Sequence, residues 1–135
     1  MSPIIKKFFT AALIYLVLGL LAQTVSVLDT WLGFNPLAYT ATATTQQILL
    51  LGWLTQLGLA LVYDRWLTLS EATNRRSSLI VFVLFNIGLP LVIMGQPGLA
   101  LVGGAWLGIV AIGGGVMLLA AALIFIREAW LTLRN

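Results

Sequence analysis

The sequence predicts an all-α polytopic membrane protein, a single four-transmembrane-helix bundle over residues 1–135 with both termini inside (N-in/C-in). Of its residues, 61% are hydrophobic and only 8% are charged, whereas a soluble domain carries about 25% charged residues. Its apolar stretches also approach the ~20 residues that a transmembrane helix needs. The predicted helices cover about residues 8–27, 46–66, 78–94 and 99–126.

The first apolar stretch follows Lys6 and Lys7. A basic start before an apolar run is also typical of a secretory signal peptide. This run is longer than a usual signal sequence and lacks a clear small-residue cleavage pattern, so we expect a retained helix. The connection after it, residues 28–44, is the longest in the chain, and its Asn35-Pro36 pair predicts a turn.

The second stretch, residues 45–66, is apolar apart from its entry, one step in its middle and its exit. It ends in Tyr63, Asp64, Arg65 and Trp66, a combination typical of an aromatic and charged anchor at the membrane interface.

The third stretch contains Asn86 and Pro90. Proline removes a backbone hydrogen bond and is expected to kink this helix. An asparagine at membrane depth requires a hydrogen-bond partner, which we expect on a neighbouring helix. The link at residues 95–98, GQPG, is short, so the third and fourth helices are predicted to be antiparallel neighbours.

The basic residues predict the orientation. Cytoplasmic loops of membrane proteins carry an excess of lysine and arginine. With the N-terminus inside, all seven basic residues fall on the inner side and none in the two outer connections: Lys6, Lys7, Arg65, Arg75, Arg76, Arg127 and Arg134. This asymmetry indicates cytoplasmic termini, and we expect the inner membrane of a prokaryote.

Small residues recur along one predicted face of the fourth helix, at offsets of four and seven. They are Gly104, Gly108, Ala111, Gly115 and Ala122. Small residues let transmembrane helices approach closely. The face is expected to pack within the bundle, and the alternatives are a partner subunit or the flat ring of a pigment or quinone.

No constellation for catalysis is present in the sequence, and we expect neither enzyme activity nor a cofactor. Histidine and cysteine are both absent, which removes the commonest metal ligands and the usual general base. The four carboxylates, Asp29, Asp64, Glu71 and Glu128, are all predicted near interfaces rather than at membrane depth. The basic residues lie at segment ends and predict no nucleic-acid partner.

Polar residues within or beside the predicted helices form the remaining candidate contacts. Gln47, Gln56 and Asn86 are the principal ones, with Gln23, Gln46 and Thr55 beside them. They could donate hydrogen bonds to a ligand carbonyl or act as weak ligands of a pigment metal. The favoured interpretation is hydrogen bonding between helices or placement at an interface.

The stretch TTQQILLLGW, followed by GLALVY, resembles the second-helix signature of small four-helix relatives of haem-copper oxidase subunit I, the cbb3-type-like proteins. The runs IYLVLGLL, NIGLP and IFIREAWLTLR are similar in style. In that family this helix opens with two histidines that ligate metal. Thr45 and Gln47 stand at those positions here, so the resemblance implies a degenerate member without haem or copper of its own.

Two hypotheses about function follow. The first is a non-catalytic integral membrane subunit with a structural or assembly role in a larger respiratory or photosynthetic electron-transport complex. Its partners would be membrane lipids and other transmembrane subunits. The second is a small membrane protein that binds a lipid, quinone or pigment within or beside its helix bundle.

Overall fold

A computed structural model describes residues 2–33, 38–65 and 72–134, and apart from a few residues at helix ends these are all helical, with no strand among them. Helix α1 spans Pro3–Leu32. A second, continuous helical span consists of α2, Ala38–Gln47, a π-helical segment, Ile48–Thr55, and α3, Gln56–Arg65. Helices α4, Ala72–Val102, and α5, Ala105–Arg134, complete the fold. The predicted all-α class is confirmed.

Four helices are long and apolar enough to cross a membrane, as predicted. Their membrane-compatible portions are Pro3–Asp29, Thr42–Arg65, Arg75–Gln96 and Ala105–Arg134. The N-in/C-in orientation remains a prediction.

The turn between the last two helices differs from the prediction. Helix α4 continues through residues 95–98, and the chain turns instead at Gly103 and Gly104. Gly103 has φ of +61°, a conformation that is accessible to glycine at little steric cost. Gly95 lies inside α4, and its lack of a side chain lets α5 pass close to it. A methyl group at this position would lie 2.8 Å from the Leu107 carbonyl oxygen.

The other helices also extend beyond their predicted ends. Helix α1 continues to Leu32, where Gly33 ends it with φ of +65° and its N–H donates to the Asp29 carbonyl. Residues 72–77, predicted as part of a connection, belong to α4. The predicted turn at Asn35-Pro36 lies outside the described residues, as do Trp66 and Glu71.

We call α1 and the second span the first hairpin. Their antiparallel packing places Gly19 against Leu49 and Gly52 against the Tyr15 ring. Within the π-helical segment the Thr55 hydroxyl donates to the Leu50 carbonyl at 2.9 Å. A π turn contains one more residue than an α turn and often marks a functional position.

Helices α4 and α5 form the second hairpin, which is packed by small residues. Gly88 and Gly114 meet backbone to backbone, since a methyl group on Gly114 would lie 2.6 Å from the Gly88 carbonyl oxygen. One level along, Gly95 meets Ala111. The sequence prediction that these two helices are antiparallel neighbours is confirmed.

The two hairpins meet in an aromatic core near the ends that carry the basic residues. Phe8 of α1 stacks on Tyr63 of α3, with ring centroids 5.6 Å apart, and meets Phe82 of α4 edge to face. Tyr63 in turn meets Phe125 of α5 edge to face at 5.7 Å. This cluster brings one end of each of the four spans together, and we call it the basic end of the bundle.

Candidate functional site

In the part of the chain that the structure describes, polar side-chain pairs join the second span to the second hairpin at three successive levels. They are Gln47 with Gln96, Gln56 with Asn86, and Tyr63 with Glu128. In a membrane interior a polar side chain finds its partners within the protein, because lipid tails offer none. The pairs therefore fix how the second span sits against α4 and α5.

The central pair is an amide–amide contact. The Gln56 Nε2 donates to Asn86 Oδ1 at 2.9 Å, and Asn86 Nδ2 donates back to Gln56 Oε1 at 3.4 Å. Asn86 Nδ2 also donates to the Phe82 carbonyl at 2.8 Å. Gln56 is fully buried. The partner expected for Asn86 thus lies on a neighbouring span, and these amide groups satisfy each other.

The outermost pair, at the end opposite the basic end, joins Gln47 to Gln96. The Gln47 Nε2 donates to Gln96 Oε1 at 2.7 Å. The other amide atom of this glutamine, Gln47 Oε1, is buried and has no hydrogen-bond partner among the described residues. Among the three candidate ligand contacts, Gln47, Gln56 and Asn86, only Gln47 therefore has a side-chain acceptor without a hydrogen bond among the described residues.

Tyr63 and Glu128 form the pair at the basic end, where the sequence predicts residues near the membrane interface. Both side chains are buried within the protein: Tyr63 is 1% exposed and Glu128 only 7% exposed. The Tyr63 hydroxyl donates to Glu128 Oε2 at 2.7 Å, whereas Glu128 Oε1 is buried without a partner among the described residues. The buried residues of α5 recur every seven positions: Leu107, Gly114, Ala121 and Glu128. This spacing is the sequence signal that could have identified Glu128 as an inward-facing residue.

An apolar groove of about 320 Å³ lies between the second span and α5, with α4 as its floor. Thr55 and Gly58 line it on one side, and Ala122 and Phe125 on the other. The floor is formed by Val81 and Phe85. Its walls are almost wholly apolar, so it suits a hydrocarbon chain or the apolar part of a ring system.

The predicted small-residue face of α5 is divided in the structure. Ala111 faces α4, where it meets Gly95, and Gly104 lies in the turn before the helix. Gly115 is exposed, with no heavy atom within 4 Å of a methyl group built on it. Gly108, seven residues before Gly115, lies on the same side of α5, whereas Ala122 lines the apolar groove. We call Gly108 and Gly115 the outer stripe of α5. The contact with α4 is centred on Gly114 instead.

The family resemblance compares Thr45 and Gln47 with metal-ligating histidines. Thr45 is 1% exposed, and Gln47 is engaged with Gln96. Among the described residues, no three Asp, Glu, His or Cys side chains come together.

Comparison with known proteins adds no relative: no family model, no curated protein and no solved structure matches this chain. The structure itself therefore defines the class, an all-helical protein with four helices of membrane-spanning length and composition.

Proposed function

We propose that the protein is a non-catalytic integral membrane subunit with a structural or assembly role, held in a larger complex through the outer stripe of α5. Its place would be the inner membrane of a prokaryote, with both termini in the cytoplasm. All basic side chains at segment ends would then face the cytoplasm.

The outer stripe is the observation that carries this proposal. Gly115 leaves an open surface on α5, and Gly108 has only one atom, of Leu99, near a methyl position, at 3.8 Å. Small residues on transmembrane helices allow a second backbone to approach closely, which increases van der Waals contact. Only 11% of the most apolar part of α5 is buried within the chain. A helix from a partner subunit would cover this surface.

Electron transport is the class of complex that we favour. The support is the resemblance of the stretch around Gly52 and Trp53 to oxidase subunit I relatives. Because histidine is absent from the chain, such a subunit would keep the packing surface of that helix without haem or copper. A pyridine haemochrome assay and metal analysis of the isolated subunit test this, and stoichiometric haem or copper would refute it.

The assembly role is tested by native electrophoresis after extraction in several mild detergents. We expect migration in a complex much larger than one chain. Gly115→Leu should shift the protein to a smaller species, because the leucine fills the surface that the partner helix needs. Gly113→Leu is the matched control: Gly113 is equally open but points about 160° away, since successive residues turn by about 100° on a helix.

If wild type migrates as a lone chain in every detergent, the assembly role is wrong. Equal effects of the two leucine variants would mean that the outer stripe is not the contact.

A second candidate function is the binding of a lipid, quinone or pigment, and the apolar groove favours it. The groove combines a nearly apolar lining with Thr55 at its wall. Mass spectrometry and absorption spectra of the purified protein would show a stoichiometric small molecule. Ala122→Trp, which fills the groove, should abolish its retention. A preparation without any such molecule would rule out this function.

A further inference from the structure

A small cleft at the basic end combines two cations from different hairpins. It has a volume of about 130 Å³ and is lined by Pro3, Ile4 and Lys7 of α1 and by Arg75 and Leu79 of α4. Among the described residues, no carboxylate lines it. Lys7 and Arg75 therefore share one opening with apolar walls beneath them.

The backbone around the cleft is also favourable to an anion. Both α1 and α4 begin beside it, and neither has an acidic residue in its first turn. The first N–H groups of a helix are unpaired and carry partial positive charge, which attracts anions.

We propose that this cleft binds the phosphate of an anionic phospholipid headgroup. The location selects a lipid over a free anion, because the cleft lies where α1 and α4 enter their membrane-compatible portions. Basic pockets between transmembrane helices are known sites for such headgroups. The lipid phosphate would bridge Lys7 and Arg75 and so link the two hairpins, while its acyl chains would follow the exposed apolar surface of the helices.

Native mass spectrometry of the purified full chain, titrated with phosphatidylglycerol or with phosphatidylcholine of the same acyl chains, tests this site. The informative variant is Lys7→Gln with Arg75→Gln. The matched control is Lys6→Gln with Arg76→Gln, which removes the same charge from exposed neighbours that do not line the cleft. We expect the first variant to retain phosphatidylglycerol about tenfold more weakly than the control, since each basic contact to an anionic headgroup contributes a several-fold effect.

Three results would overturn the proposal. The first is an equal loss in both double variants, which would indicate general charge attraction. The second is equal retention of phosphatidylcholine and phosphatidylglycerol by wild type. The third is displacement of the lipid by inorganic phosphate at comparable concentration, which would indicate a free-anion site. If the double variant does not fold, Arg75→Gln alone against Arg76→Gln gives the same comparison, with an expected difference of about threefold.

Discussion

The two hairpins use glycine in different ways. In the first hairpin Gly52 receives a side chain, that of Tyr15, whose ring atoms can move by rotation about the Cα–Cβ bond although its Cβ cannot. In the second hairpin Gly114 receives the backbone of α4, which has no such freedom. The first contact resembles a knob in a hole, and the second is a close backbone crossing of the kind that small residues allow in membranes. We therefore expect the second hairpin to be the less tolerant of substitution.

The outer surfaces of the two hairpins also differ, since one carries large side chains and the other carries glycines. Helix α1 exposes large aliphatic side chains, such as Val17, Leu21 and Val25, which suit contact with mobile acyl chains. Helix α5 places the open surfaces of Gly108 and Gly115 among its exposed Ile and Leu side chains. A surface with glycine depressions gains little from lipid tails but can accommodate a second helix. This difference points to α5, rather than α1, as the surface for a partner.

The largest expected effect is that of Gly114→Ala. Its methyl group would lie 2.6 Å from the Gly88 carbonyl oxygen, so α4 and α5 must separate. Overpacking of this kind costs about 1–3 kcal/mol of unfolding free energy, and a backbone contact belongs at the upper end. Reversible unfolding in mixed micelles measures it. Gly113→Ala, where no atom lies within 4 Å, is the control and should not destabilise. Similar values for the two variants would contradict the backbone crossing.

Tyr63→Phe should cause the second-largest loss of unfolding free energy. It breaks a hydrogen bond that links the two hairpins. The substitution removes the only hydrogen bond found for the Glu128 side chain among the described residues. Leaving a buried acceptor unpaired costs about 1–3 kcal/mol. Glu128→Gln should recover part of this loss when combined with Tyr63→Phe, because the uncompensated carboxylate is then gone. No change in unfolding free energy on Tyr63→Phe would argue against a buried pair.

Gly52→Ala tests the more adaptable contact of the first hairpin. The new methyl group would lie 2.6 Å from Tyr15 Cγ and 2.9 Å from Tyr15 Cβ, and because a side chain yields more readily than a backbone, the loss should fall below that of Gly114→Ala within the range of about 1–3 kcal/mol. Combining it with Tyr15→Leu should give a smaller loss than the sum of the two single variants, because contacting residues are not additive. Strict additivity would mean that Gly52 and Tyr15 do not meet.

The smallest expected effect is the coupling between Gln56 and Asn86. Hydrogen bonds between transmembrane helices contribute about 0.6 kcal/mol on average. A double-mutant cycle with Gln56→Leu and Asn86→Leu, measured by the same unfolding assay, should give a coupling of that order. A coupling of zero would show that the two amides act independently.

The four spans were predictable because hydropathy and length together require them. Their ends were not, because hydropathy marks only the apolar part of a helix, whereas the helices continue beyond it. The sequence GQPG illustrates the difficulty. Glycine and proline usually signal a turn, yet Gly95 is needed within α4 for its contact with Ala111. The turn falls instead on Gly103, whose positive φ is a conformation that favours glycine.

The candidate site was only partly predictable for a related reason. Periodicity shows that small residues recur on α5, but Gly113, Gly114 and Gly115 are consecutive and point in three directions. The sequence does not specify which of them meets α4. Because the structure selects Gly114, Glu128 becomes an inward-facing residue and the stripe through Gly115 becomes an outward-facing one. The polar partners of Gln47 and Gln56 depend equally on which helices are neighbours.

Site-specific photo-crosslinking in native membranes tests the central claim, that the outer stripe of α5 contacts a partner helix. A photoreactive residue at Leu119, one turn beyond Gly115 and exposed, should give one adduct of defined mass. The same residue at exposed Ile109, about 80° further round the helix, should give none. Gly115→Leu should abolish the Leu119 adduct, and Gly113→Leu should preserve it. Absence of an adduct at Leu119, or equal adducts at both positions, would contradict the claim.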